Sequence, residues 1–202
     1  MTCQFRKSRA GTSLGAITPW VLAIACVAMS GRIARADPPS ISNLATKTSL
    51  SSEEKARITT YGKEWGARLL QIAHGEETDD DVRRVRGKLI EPLQIGNTSA
   101  VFLNAYDTAL RGPLTAVLDA GDPITGVNAL IITSELGTTS AFTTLIDNVG
   151  RRQPDRHLRL TAARGVRRLL ESGRLTRPGN AGGAANTILG GARNLKLAAT
   201  QE

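Results

Sequence analysis

Apolar residues recur at spacings of three and four along most of the chain, and this helical period constrains the fold more than any other feature. Ile58, Tyr61, Trp65, Leu69 and Ile72 form one such stripe, which would lie on a single face of a helix. The preceding SSEE, residues 51–54, has the order of a capping box. No segment alternates apolar and polar residues between hairpin turns. The sequence therefore predicts an all-α fold.

Gly, Pro and Asp residues indicate where the helices begin and end. Gly75 ends the first helix, and the acidic residues 79–81 open a second that stops before Pro92. A third is predicted to begin near Asn97. Pro113 fits the first position of a short following helix, since proline is favoured there. When these helix-start and helix-end signals are followed as far as Arg177, they predict about five to seven helices.

A helix–turn–helix pattern recurs along the second half of the chain. Residues 104–119 contain a small-residue helix, a predicted turn at Gly112 and a shorter apolar helix, and residues 128–147 repeat that order around Gly137. A further copy of the first helix starts at Asp155. A single hairpin of this kind cannot bury its apolar face, so the copies are expected to stack on one another.

Two stretches resemble the first helix of HEAT repeats: DPITGVNALIITSELG at 122–137 and DRHLRLTAARGVRRLLESG at 155–173. The resemblance covers about residues 98–173, although Gly126 stands where the family usually has arginine. It implies a short α-α superhelix, a HEAT-like solenoid, that presents surfaces to partners. It implies no chemistry.

The first 36 residues have the organisation of a secretory signal peptide. Basic residues near Arg6 precede the apolar run Ala16–Met29, and Ala34 and Ala36 give the small-x-small pattern of a cleavage site. We expect cleavage after Ala36 and export to the periplasm or the medium. The alternatives are an uncleaved membrane anchor and, less favoured, a lipoprotein signal around Cys26.

Cleavage would change the charge and the chemistry of the chain. The whole sequence has 26 basic and 18 acidic residues, a net charge of +8. Five basic residues lie in the first 36, so the mature chain has 26 − 5 = 21 basic and 18 acidic residues, a net charge of +3. Cys3 and Cys26 are lost as well. A mature chain of this kind would have no disulfide, thiolate metal site or cysteine nucleophile, and nucleic acid is a disfavoured partner because an exported protein rarely meets it.

Composition separates the expected mature chain into three parts. Residues 37–50 are rich in Pro, Ser and Thr and are predicted to be a flexible leader. Residues 51–177 form the predicted helical-repeat domain. Residues 178–202 are rich in Gly and Ala and have little apolar bulk, so we predict a disordered tail.

The predicted last helix has a basic face. Arg156, Arg164, Arg167 and Arg168 lie on one side, opposite an apolar sector that begins at Leu158. One interpretation is a solvated outer face that caps a solenoid. The other is a binding site for an anionic partner, such as an anionic lipid, an acidic glycan or an acidic protein. These four arginines are the candidate contacts to that partner.

The sequence offers no combination of residues typical of a catalytic or metal site. HGEETDDD, residues 74–81, contains ligand types for hard cations but lacks the spacing of a calcium loop. His74 and His157 are the only imidazoles, and no motif joins either to a nucleophile. We therefore expect no metal, no cofactor and no enzymatic activity. The predicted function is that of a scaffold or adaptor that binds an unknown protein, with no transmembrane span after cleavage.

Overall fold

Six α-helices and two short 3₁₀ turns make up the computed structural model, which describes residues 37–75, 79–150 and 155–172. The described residues from Pro38 onward belong to one compact unit. They contain no β-strand, so the all-α prediction and the expected number of helices are confirmed. The helices are α1 (Ser52–Ala73), α2 (Asp79–Ile90), α3 (Ala100–Ala120), α4 (Pro123–Leu136), α5 (Thr139–Gly150) and α6 (Arg156–Glu171).

α1 begins at the predicted capping box. The Glu54 N–H donates to Ser51 Oγ at 3.2 Å, and the Ser51 N–H donates to Glu54 Oε2 at 2.9 Å. These two bonds satisfy N–H groups that lack partners at the start of a helix. The apolar stripe from Ile58 to Ile72 is buried as predicted, and Gly75, with φ at 78°, follows the end of the helix.

The start of α3 differs from the prediction by two residues. Ser99, rather than Asn97, is the N-cap, and its Oγ accepts from the Phe102 N–H at 3.1 Å. Asn97 lies in the preceding loop with φ at 64°, a left-handed conformation that asparagine tolerates better than most residues. Both residues are good N-caps, and only the loop geometry distinguishes them.

The predicted break at Gly112 is wrong, because α3 runs unbroken through Pro113. Proline within a helix clashes with the Cβ of the preceding residue, and Gly112 has no Cβ. The first predicted hairpin, residues 104–119, is therefore a segment of one 21-residue helix.

Glycine turns do form at the two ends of α4. Gly121 and Gly137 adopt φ values of 78° and 67°, which a residue with a Cβ adopts only with strain. Asp122 follows the first turn and caps α4 by accepting from the Thr125 N–H at 2.8 Å. The turn predicted at Gly137 is confirmed, whereas the preceding turn lies at Gly121 rather than at Gly112.

α1 and α3 run in parallel and approach each other closely through glycine. A Cβ added to Gly62 would lie 3.0 Å from the Ala109 Cβ, and one added to Gly66 would lie 2.4 Å from the Pro113 Cβ. Both numbers advance by four between these contacts, which fixes the parallel direction. The proline that suggested a break is therefore part of a tight helix–helix contact.

α4 and α6 form a second parallel pair. A Cβ on Gly126 would lie 2.9 Å from Leu158 Cδ2, and a Cβ on Gly165 would lie 3.1 Å from the Ser134 Cβ. Gly126 is the position at which the HEAT-like pattern would have arginine. In this chain its missing side chain makes room for Leu158.

α4 is the central helix of the described residues, since it contacts α1, α2, α3, α5 and α6. Its residues pack in two directions: Ala129, Ile132 and Leu136 belong to a core shared with α1–α3, and Leu130 belongs to a core shared with α5 and α6. α4 therefore has buried residues on all of its sides, as expected of a helix packed between two cores. Polar residues on α4 are bonded, as in the 2.8 Å contact from Arg86 Nη1 to Asn128 Oδ1.

Part of the segment expected to be a flexible leader belongs to the core. Ile41, Leu44 and Ala45 are buried, and a 3₁₀ turn spans Ser42–Leu44. The Ala45 carbonyl accepts from the Ser99 N–H at 2.8 Å, next to the start of α3. Apolar residues as sparse as these are easily missed by a composition argument, because the segment around them is rich in Pro, Ser and Thr. Residues 1–36 and 178–202, which contain the predicted signal peptide and tail, lie outside the described residues.

Candidate partner-binding face

The four candidate arginines lie on α6, whose opposite side is packed into the protein. Leu158, Ala162, Val166 and Leu169 are buried, whereas Arg156, Arg164, Arg167 and Arg168 are all exposed. Asp155 caps this helix by accepting from the N–H groups of His157 and Leu158 at 2.6 and 3.3 Å. The predicted division of α6 into a core face and a basic face is therefore present in the structure.

The exposed face of α6 also contains leucine, which the sequence interpretation did not single out. Leu160 is 46% exposed and Leu170 is 48% exposed. Leu170 lies at the margin of the core face, so its side chain is only partly covered. Leu160 lies among the arginines, four residues from Arg156 and four from Arg164. We call Arg156, Leu160, Arg164 and Arg167 the cationic stripe.

Arg168 differs from the other three arginines because it pairs with a buried carboxylate. Its Nη2 lies 2.7 Å from Glu135 Oε1, and the Glu135 side chain is only 10% exposed. Glu135 is on α4, so this ion pair joins α4 to α6. A buried charge that loses its partner destabilises a protein strongly. Arg168 is therefore a structural residue, and we leave it out of the cationic stripe.

Arg167 also has a carboxylate partner, but on the protein surface. Its Nε lies 2.7 Å from Glu171 Oε1 one turn later, and the two side chains are 79% and 62% exposed. The hydrogen bond to Glu171, assisted by the negative charge of that residue, raises the pKa of the Arg167 guanidinium. Pairs this exposed contribute little to stability, so Arg167 can exchange Glu171 for another anion.

Arg156 and Arg164 complete the stripe and form no ion pair with any residue in the described ranges. Their side chains lie on either side of Leu160 along the helix. A helix rises about 1.5 Å per residue, so the two Cα atoms are about 12 Å apart. The outward face thus combines two uncompensated positive charges with an exposed leucine between them.

A second polar cluster lies between α3 and α5. The buried Asp107 accepts from Arg111 Nη2 at 2.8 Å and from Ser140 Oγ, and Arg111 also donates to Ser140 at 2.9 Å. Each of the three side chains is therefore hydrogen-bonded to the other two. Ser140 lies in the first turn of α5. These hydrogen bonds satisfy the buried Asp107 carboxylate and link α3 to α5.

The two histidines lie at helix ends, where both are exposed. One surface cavity, of about 140 Å³, is lined by residues between positions 93 and 103. A second, of about 220 Å³, is lined by the segment near Pro38 and by residues of α1. Neither lining contains a histidine. Within the described ranges, no group of three or more His, Cys, Asp or Glu residues could hold a metal ion. The acidic string at 74–81 lies partly outside those ranges.

Among the helices that the structure describes, none is long and apolar enough to cross a bilayer. Comparison of the chain with protein-family models, with curated proteins and with solved structures found no match.

The four arginines were identifiable from the sequence. The structural role that separates Arg168 from the other three was not. The buried Glu135 was not singled out, although its 33-residue offset from Arg168 equals the spacing between Asp122 and Asp155, where the two HEAT-like stretches begin. Two parallel helices with that offset bring Glu135 and Arg168 side by side. The exposed Leu160 could also have been found, because helical spacing places it between two arginines.

Proposed function

We propose that this protein is a non-catalytic binding domain that docks another protein through the outward face of α6. The observation that carries this proposal is the cationic stripe, in which Leu160 is half exposed between Arg156 and Arg164. Arginine is enriched at protein–protein interfaces, where its planar guanidinium forms paired hydrogen bonds and its stem covers apolar surface.

We further propose that the helices form a short α-α superhelix of the HEAT-like kind. Two parallel contacts support this arrangement: α1 with α3 at Gly66 and Pro113, and α4 with α6 at Gly126 and Leu158. In a stack of helical hairpins, alternate helices run parallel to each other. Under this proposal α6 is the last described helix of the stack, which explains why its outer face is exposed.

We also propose that the protein acts outside the cytoplasm, after cleavage at Ala36. The support is the pattern of residues 1–36: a basic start, an apolar run and the Ala34-x-Ala36 site. Intact mass and N-terminal sequencing of the protein from its native host test this directly. A chain that begins at Asp37 is the expected result, and a chain that retains Met1 would contradict it.

An anionic surface, either a lipid bilayer or an acidic glycan, is the second candidate partner. The exposure of all four arginines on one side of α6 favours it, since each basic residue near an anionic membrane contributes about 1 kcal/mol of attraction. This candidate predicts binding that falls steeply as salt concentration rises. The protein candidate predicts a weaker salt dependence, because part of its interface is apolar.

The proposed binding function is tested by the size of the complex that the protein forms in its host. An affinity-tagged full-length chain, extracted without detergent, is separated by size-exclusion chromatography at about 150 mM salt, where exposed charges more than about 8 Å apart are largely screened. We expect elution with a second protein in fixed stoichiometry. Elution as a lone chain from every extract, with no bound protein, would contradict the proposal.

A further inference from the structure

We propose that the cationic stripe binds an acidic helical segment of a partner protein, one whose carboxylates flank an exposed apolar residue. The inference rests on the proposed function and adds the chemistry of the partner. It also divides the four candidate arginines into three that contact the partner and one, Arg168, that holds α6 in place.

The spacing of the stripe defines what would fit it. Arg156 and Arg164 are two helical turns apart, about 12 Å along the axis, with Leu160 midway between them. A partner helix that carries acidic residues two turns apart and an apolar residue between them would place a carboxylate at each guanidinium. Arg167, one turn beyond Arg164, would contact a third acidic residue in exchange for Glu171.

The apolar part of the stripe argues for a protein rather than a lipid partner. A helix binds in the plane of a membrane by inserting its apolar face among the lipids. The apolar face of α6 is already buried against the protein, as the 0–6% exposure of Leu158, Ala162, Val166 and Leu169 shows. The two half-exposed leucines of α6, Leu160 and Leu170, offer little to insert, whereas a leucine framed by arginines, as Leu160 is, suits a small apolar patch with a charged rim.

Arg168 supplies an internal check on this assignment. Because it pairs with the buried Glu135 at 2.7 Å, its removal would break an ion pair that joins α4 to α6. A substitution there should therefore lower the melting temperature more than it weakens partner binding. The stripe residues are exposed, so their substitution should weaken partner binding more than it lowers the melting temperature.

The test uses three probes and the full chain purified from its host. The first probe is a fluorescein-labelled helical peptide with glutamates two turns apart and a leucine midway. The second has the same composition with its glutamates and leucine scrambled, and the third is a set of vesicles of equimolar phosphatidylcholine and phosphatidylglycerol. Fluorescence anisotropy measures binding of the peptides, and co-sedimentation measures binding to the vesicles.

Two charge-reversal variants are compared. The stripe variant is R156E/R164E/R167E, and the matched control is K55E/R57E/K63E on α1, which alters three exposed basic residues and changes the net charge equally. R156Q/R164Q and Leu160→Ser serve as milder variants, and circular dichroism verifies that each is folded. We expect the stripe variant to lose at least about tenfold in affinity for the ordered peptide, and Leu160→Ser about threefold, as for contacts near the centre of an interface. The α1 variant should change affinity by less than twofold.

Four results would overturn the inference. Equal losses in the stripe and α1 variants would mean that net charge alone attracts the peptide. Equal affinity for the ordered and scrambled peptides would mean that spacing is not recognised. Stripe-dependent binding to vesicles but not to peptide would assign the face to lipid. If the stripe variant still forms the complex found by size exclusion, the protein-binding function stands and this surface is not its site.

Discussion

Two parallel helix pairs, α1 with α3 and α4 with α6, both make a close contact at glycine but bury different side chains. In both pairs, glycine on one helix admits a side chain of the other. The α1–α3 pair is filled by rings: Tyr61, Trp65, Phe102 and Tyr106 are buried, and adjacent ring centroids lie 5.5–6.4 Å apart. The α4–α6 pair is filled by Leu, Ala and Val side chains, together with the Glu135–Arg168 ion pair.

The difference indicates how stability and recognition are distributed. Burial of an aromatic side chain contributes more than burial of alanine or valine, roughly in proportion to area, so the first pair should dominate the free energy of unfolding. The second pair buries less apolar surface on α6 and leaves the other side of that helix facing outward. We therefore expect substitutions in the first pair to change stability, and substitutions on the outer face of α6 to change binding.

The largest effect is expected from a charge placed in the core. Leu136 and Leu169 are each 1% exposed, so an aspartate there would bury an unpaired charge at a cost of several kcal/mol. Total stabilities are about 5–15 kcal/mol, and we expect Leu136→Asp and Leu169→Asp to be largely unfolded. Far-ultraviolet circular dichroism checks this; a Leu136→Asp chain with an unchanged melting temperature would contradict the core placement of α4.

Truncation of one large side chain in each pair compares the two directly. Trp65→Ala should cost about 3–5 kcal/mol and Leu169→Ala about 2–3 kcal/mol, because the ring removes more buried area. Urea unfolding followed by circular dichroism measures both. A larger loss for Leu169→Ala would reverse the proposed distribution of stability.

Alanine in place of glycine probes the closeness of the two contacts. In Gly66→Ala the new Cβ would meet the rigid Pro113 ring at 2.4 Å, and we expect a loss of about 1–3 kcal/mol. In Gly126→Ala the nearest atom is the mobile end of Leu158 at 2.9 Å, so a helix-propensity gain of about 1 kcal/mol should roughly offset the strain.

Gly87→Ala is the matched control for these two variants, since no atom lies within 4 Å of its added Cβ. It should stabilise the protein by about 0.5–1 kcal/mol. Equal losses at positions 66 and 126 would show that the two helix pairs are equally rigid.

The last prediction concerns the pH dependence that Tyr106 confers on the first pair. Burial, and secondarily the charges of Tyr61 and Glu91, raises the pKa of the Tyr106 hydroxyl well above its ordinary value. Its neutral form is therefore favoured in the folded protein, and this contribution is complete below about pH 10, the pKa in the unfolded chain. It is lost as pH rises from there toward the folded pKa.

Tyr106→Phe tests that contribution. It should cost about 1 kcal/mol at neutral pH, because the 2.9 Å bond to the Leu89 carbonyl is removed. It should also make the loss of stability above about pH 10 shallower than in the parent. Urea unfolding at several pH values measures both, and parallel curves for the two proteins would contradict the pKa argument.

The helical class and most helix ends were predictable from the sequence because they depend on local chemistry. The capping box at Ser51, the buried stripe of α1 and the turn at Gly137 each follow from residues close together in the chain. The division of α6 into two faces was predictable for the same reason.

The errors arose where distant residues decide the outcome. Gly112-Pro113 has the composition of a break, but Pro113 packs on Gly66 from another helix. The segment at Ile41–Ala45 has the composition of a leader, but Ser99, the N-cap of α3, supplies the donor that anchors it. Likewise, only the position of Glu135 on α4 separates Arg168 from the other three arginines. Local pattern carries no information about these contacts.

The most direct test of the account is site-specific photo-crosslinking in the native host. A benzophenone amino acid is placed at position 160 on α6 and, in a matched protein, at the exposed position 63 on α1. Irradiation should give one discrete adduct from position 160, with a protein whose crosslinked segment is acidic, and no such adduct from position 63. No adduct from position 160, or the same adduct from both positions, would contradict the claim that the outward face of α6 docks a partner.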